Sequence, residues 1–186
     1  MLKKNFILTL IFIVIASVSF AQDKYFTRTG KINFYSKAPM EDIEGKNKTV
    51  TAVIDTKSGA LQFSVQMKGF EFHKQLMQQH FNENYIESDK FPKAEFKGKI
   101  TNNSEINYTK DGEYTAKVKG KMTIHGITKD VETTGTIKID GGKIDASSSF
   151  NVLVSDYKIK IPAIVKDKVS NNINVTVDCN LEPLKG

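Results

Sequence analysis

Beyond residue 24 the chain alternates. Leu61, Phe63, Val65 and Met67 are interleaved with Gln62, Ser64, Gln66 and Lys68, and Ala94, Phe96, Gly98 and Ile100 with Lys93, Glu95, Lys97 and Lys99. Tyr114 to Ile124 and Val131 to Ile139 repeat the pattern. A period of two places the apolar set on one face of a strand and the polar set on the other. Turn chemistry separates the runs: Lys57-Ser58-Gly59, Lys110-Asp111-Gly112, Gly126 and Asp140-Gly141-Gly142 offer the positive φ angles of tight hairpins. The pattern predicts strands at 25–36, 48–56, 60–70, 93–101, 113–125, 130–140, 143–154 and 168–182. The fold class is therefore all-β. Sequential hairpins with one oily face each close most simply into an eight-stranded antiparallel β-barrel, which leaves no sheet edge exposed.

One connection interrupts the rhythm. In residues 71–92, Phe72 and Leu76, and Met77 and Phe81, stand four apart, which predicts a short amphipathic helix before Pro92 restarts the sheet. An oily connector of this kind is expected to cover one end of the barrel, and the irregular stretch 155–168 is suited to the same place. Two interiors fit the pattern, because an eight-stranded barrel is either filled by its own side chains or holds one small ligand. Small inward residues (Ala94, Gly98, Ala116, Gly120, Gly135) leave volume beside Phe63, Met67, Phe96, Met122 and Phe150, which favours the hollow form.

The start of the chain changes the domain picture. Lys3 and Lys4 precede an apolar run from Phe6 to about Val18, closed by Ser19-Phe20-Ala21. That is the layout of a secretory signal peptide, too short for a comfortable span of about 20 apolar residues. Cleavage after Ala21 is expected, leaving residues 22–186 as one barrel domain in a periplasmic or secreted location. With no cysteine near that site, no lipid anchor is expected. Loss of Lys3 and Lys4 lowers the net charge from +6 to +4, a modest excess that gives little reason to expect nucleic acid. Cys179 is the single cysteine, so no internal disulfide forms. Its place in the series Ile173, Val175, Val177, Cys179, Leu181 reads as a buried small hydrophobe.

The stretch LMQQHFNENYIESDKFPKAEFKGKI, then GKMTIHGITKDVE, then a phenylalanine strand running into SDYKIKIP, resembles the YceI family of lipocalin-like, polyisoprenoid-binding proteins. The resemblance covers essentially the whole chain after the leader. It places the family's His-Phe pair on His80 and Phe81, its aromatic-Pro strand entry on Phe91, Pro92, Phe96 and Gly98, and its Gly-x-Leu-Thr corner on Gly120, Met122, Thr123, Gly126 and Thr128. It implies a barrel holding a long apolar chain along its axis. Many members carry a histidine after the first strand, where this chain has Pro39 and Met40, so a polar contact assigned to that histidine does not transfer.

The candidate chemistry is sparse. His73 and His80 are seven apart, about 10 Å along a helix, too far to share one ion at bonds of about 2.1 Å. No nucleophile elbow, phosphate loop or acidic calcium loop occurs, so no metal, cofactor or catalytic residue is expected. His125, one residue before Gly126, reads as a turn residue bonding turn backbone or the Thr123 and Thr128 hydroxyls. For His80, contact with a ligand head and hydrogen bonding at the helix end are equally compatible. The expected ligand-binding set is Phe63, Met67, Met77, His80, Phe81, Phe96, Met122 and Phe150. The expected partner is a long-chain isoprenoid or other apolar small molecule.

Burial gains about 0.8 kcal/mol per CH₂ taken from water. From a membrane the gain nearly vanishes, so a carrier, scavenger or sensor in transient membrane contact fits better than a store. The readings from other classes are a solid-core stress or interaction protein and, behind it, a lipid or amide hydrolase.

Overall fold

The structure, a computed structural model, describes residues 23–184. The expected leader, its cleavage site and the absence of an anchor lie outside the described residues. The strands are β1 (Lys24–Lys37), β2 (Asp42–Asp55), β3 (Ala60–Gln66), the two-residue β4 (Glu71–Phe72), β5 (Lys93–Ile100), β6 (Gly112–Ile124), β7 (Ile127–Asp140), β8 (Lys143–Leu153) and β9 (Asn172–Pro183). One short helix, α1 (Gln75–His80), continues into a wider turn at Phe81–Tyr85. The sheet order is β1-β9-β8-β7-β6-β5-β3-β2, and β1 also pairs with β2. The eight long strands therefore form a closed antiparallel barrel. β4 adds only Gly45↔Phe72 and Lys46↔Glu71 to β2.

The turns do what their residues require. In the β6–β7 hairpin Ile124 pairs with Ile127 across His125 and Gly126, at φ +51° and +73°. Both central residues are left-handed, the geometry that joins twisted strands in two residues. Strand ends differ from the alternation where side chains interrupt the ladder. β3 stops at Gln66 rather than 70 because Met67–Gly69 makes a 3-10 turn, with Asn47 Nδ2 donating to Gln66 O at 2.9 Å. β9 starts at Asn172 rather than 168 because Val165 O accepts from both Lys168 and Val169.

The interior is divided along the barrel axis. One half is filled: Ile54, Leu61, Ile100, Ile137, Ile144 and Leu181 pack there in one buried cluster. Ile106 and Tyr108, from the β5–β6 loop, pack against the same cluster. Asn102 fastens that loop, accepting from Lys117 N at 2.8 Å and donating to Thr115 O at 2.9 Å. Burial pushes the Tyr108 hydroxyl up to about 12. Cys179 lies in this half, 2% exposed, its thiol raised to about 12 by burial. A second cluster occupies the other half, with Val50, Val65, Met67, Phe70, Met122 and Val152 among its members.

Candidate functional site

The second half of the barrel holds a cavity of about 440 Å³, inside the usual range of about 300–1,000 Å³ for ligand pockets. Its strand walls are apolar: Ile32, Val65, Ala94, Met122, Val152 and Val175 face it. The connector after β3 and the loop after β8 close over this end, the first through Phe70, Phe72, Met77 and Phe81, the second through Tyr157, Ile159, Ile161 and Val165. Phe34, Phe70, Phe72 and Phe81 form one aromatic cluster with centroids 5.0–5.7 Å apart, the separation at which tilted and edge contacts are favourable. Gly45 allows it, since any Cβ there would collide with the Phe34 ring.

Of the residues expected from sequence, Met67, Met77, His80, Phe81 and Met122 face this cavity. Phe63, Phe96 and Phe150 do not line it. Phe63 and Phe96 meet edge to face at 6.5 Å and touch both clusters, so they form the floor between the filled half and the open half. Phe150 pairs with Val175, which does line the cavity, and packs on the cavity cluster without lining it. The glycines of β5 and β6 also have a different role from the one expected. Gly98 and Gly120 are paired, and a Cβ on either would fall 2.7 or 2.6 Å from the Phe96 ring and 2.6 or 2.5 Å from a neighbouring carbonyl oxygen. Their missing side chains are replaced by that ring, so they widen no lumen. Neither interior expected from sequence describes the whole barrel, which is filled at one end and hollow at the other.

Polar groups gather at the mouth. Glu41, Lys74, Lys168 and the exposed His80 border the cavity. Lys74 donates to Glu41 at 2.8 Å, and that bond, with the Lys168 charge beyond it, holds the Glu41 carboxyl below its usual value. At the end of α1, Asn82 Nδ2 donates to Gln78 O at 2.9 Å.

His125 is a tie between loops. Its Nε2 is hydrogen-bonded to Glu87 Oε2 at 2.7 Å and its Nδ1 lies 3.2 Å from Tyr157 O, while the Phe91 ring meets it edge-on at 4.5 Å. Thr123 and Thr128, the partners expected from sequence, bond each other instead at 2.8 Å. One side chain at the hairpin tip thus positions both segments that roof the cavity. Sequence reasoning missed Phe34, Ile43, Ile159 and Ile161, all on the cavity wall. The alternation of Ile159 and Ile161 was the available signal, although no strand forms there. Among the described residues no group of three His, Cys, Asp or Glu is placed to hold a metal ion.

The model of the YceI-like domain family matches residues 23–181. A polyisoprenoid-binding domain from Saccharophagus degradans, described as implicated in plant cell wall breakdown, superposes with a TM-score of 0.77 at 12% identity, over 88% of this chain and 99% of that one. BcnA of Burkholderia cenocepacia gives 0.66 at 18% identity, over 82% and 94%. A YceI protein of Campylobacter jejuni gives 0.56 at 22%, over 76% and 85%. At these identities the likeness is one of fold. No curated protein matches the chain.

Proposed function

The chain belongs to the YceI-like domain family, and from that premise we propose that it is a non-catalytic lipid-binding protein whose half-barrel cavity takes the apolar chain of a polyisoprenoid-like ligand. The observation that carries the reading is the cavity itself, about 440 Å³ of apolar wall with its charged groups confined to the mouth. The fold shared with a polyisoprenoid-binding domain supports it. A cavity of this size takes only part of a long isoprenoid chain. Such a ligand would therefore leave its remaining units and its head at the mouth, beside His80, Lys74 and Glu41. Each buried carbon gains about 0.8 kcal/mol from water and almost nothing from a bilayer, which suits a periplasmic or secreted carrier that exchanges its load.

Native mass spectrometry of the protein recovered from cells without denaturation tests the assignment. The expected result is one apolar adduct per chain, lost when organic solvent unfolds the barrel. Protein that is empty, and that also fails to take up an apolar fluorescent probe, would overturn it. Intact mass of the exported product tests the location, with Gln22 expected as the first residue.

A further inference from the structure

The described residues include six large apolar side chains that are clearly exposed, and the three most exposed of them, Ile164 at 91%, Met40 at 70% and Leu76 at 61%, surround the cavity mouth. Three segments bring them together. Met40 N donates to Asp167 O at 2.9 Å, which ties the β1–β2 hairpin to the loop carrying Ile164. Lys74 bonds Glu41 at 2.8 Å, which ties the start of α1 to the same hairpin. In the turn Ala163–Val165, Val165 faces the cavity while its neighbour Ile164 is turned to solvent. Around them, residues 158–168 carry Lys158, Lys160, Lys166 and Lys168, all exposed, against the single acid Asp167.

Solvent-exposed apolar side chains are common singly, but a cluster rimmed by charge marks a contact surface. The chemistry here selects the occupant. A tip of isoleucine, methionine and leucine among lysines matches a lipid interface, where apolar side chains sink below the headgroups and ammonium groups reach back to the phosphates. The lysine excess specifies an anionic surface. An apolar ligand that is insoluble in water must also meet a lipid phase at this opening to enter or leave.

We propose that the rim formed by residues 38–41, 74–76 and 158–168 docks the barrel mouth-down on a bilayer containing anionic lipid, with Ile164 as the inserted residue. The purpose given to the docking rests on the ligand-binding reading above; the docking itself is tested without it. Residues 22–186, which contain the entire closed barrel, would be sedimented with vesicles of phosphatidylcholine alone or mixed with phosphatidylglycerol, at low salt and at about 1 M salt, where the Debye length is only about 3 Å.

Binding is expected to the mixed vesicles at low salt and to weaken at high salt. Ile164→Asp should lower it about ten-fold or more, and Lys166→Glu should lower it about ten-fold for the mixed vesicles while barely changing the weak binding to phosphatidylcholine. Leu184→Asp, at the opposite end of the barrel, should change nothing. Equal vesicle binding by wild type and Ile164→Asp overturns the proposal. So does a concentration-dependent dimer that Ile164→Asp dissolves with no vesicle binding by either, which would give the rim to a second copy. Ligand occupancy by native mass spectrometry, measured on the same proteins, separates the two readings. Vesicle binding by an always-empty barrel would leave the docking intact and remove the ligand, and an occupied barrel that ignores vesicles would do the reverse.

Discussion

Replacing Phe96 with alanine should lengthen the ligand the barrel accepts. The Phe96 ring lies over Gly98 and Gly120 and meets Phe63 at 6.5 Å, closing the cavity from the filled half. Truncating a core phenylalanine costs about 3–5 kcal/mol, of which about 1.5–3 is lost transfer energy. The remaining ~2 kcal/mol, at about 24 cal/mol per Å³ of void, corresponds to about 80 Å³. At about 30 Å³ per carbon group the void admits two or three further carbons. Each adds about 0.8 kcal/mol, so the longer chain gains ~2 kcal/mol, about thirty-fold in affinity. Competition of straight-chain alcohols of increasing length against a bound apolar probe reads this directly. The optimum for Phe96→Ala should fall about two or three carbons above that of wild type. A variant that loses the expected stability while keeping the same optimum would refute Phe96 as the floor.

Three further outcomes follow from the same geometry. Gly120→Ala places a Cβ 2.5 Å from Lys97 O and 2.6 Å from the Phe96 ring, so chemical denaturation should show a loss of about 1–3 kcal/mol, and unchanged stability would contradict that packing. Folded protein should label at Cys179 far more slowly than denatured protein, since the thiol is buried in β9 and its pKa is raised to about 12; fast native labelling would place it elsewhere. The bond from His125 holds the Glu87 carboxyl below its ordinary 4.5, so its contribution is present above that value and is lost as pH falls through the lower folded value. The melting temperature of wild type should therefore drop more steeply on acidification than that of Glu87→Gln, and parallel curves would rule the link out.

The alternation of Leu61 to Met67, Ala94 to Ile100 and Tyr114 to Ile124 was enough to read the barrel, because period two depends only on local geometry. It broke down where a side chain from another strand occupies the inward position. β2 begins at Asp42, but its inward Gly45 lies under the Phe34 ring and its buried Asn47 bonds Gln66 O, so neither position is oily and the first turns of the strand left no signal. Lys158 to Pro162 erred the other way, alternating like a strand while lying over the mouth. Period two also reports face and not where along that face a ring lies: Phe96 is the cross-strand partner of the cavity residue Met122, yet its ring lies over Gly98 and Gly120 instead. The partners of His125 are 32 and 38 residues away in sequence, beyond the reach of any local pattern.

The ring closes between β1 and β9, with Tyr25 paired to Pro183 and Ser36 to Ile173. A chain emerging from synthesis can zip its hairpins in order, but this seam waits for the last segment of the domain. Until then β1 and β8 each keep an unpaired edge, and the contacts that finish the fold are among the longest in sequence, the kind that makes folding slow. An unfinished chain is thus held open by its own topology, a state vulnerable to edge-to-edge association. Since Cys179 sits in the closing strand with its sulfur against Gly30 of β1, pulse labelling during refolding should find it the last group to be protected, after the hairpins of β5 to β8 have already slowed their amide exchange.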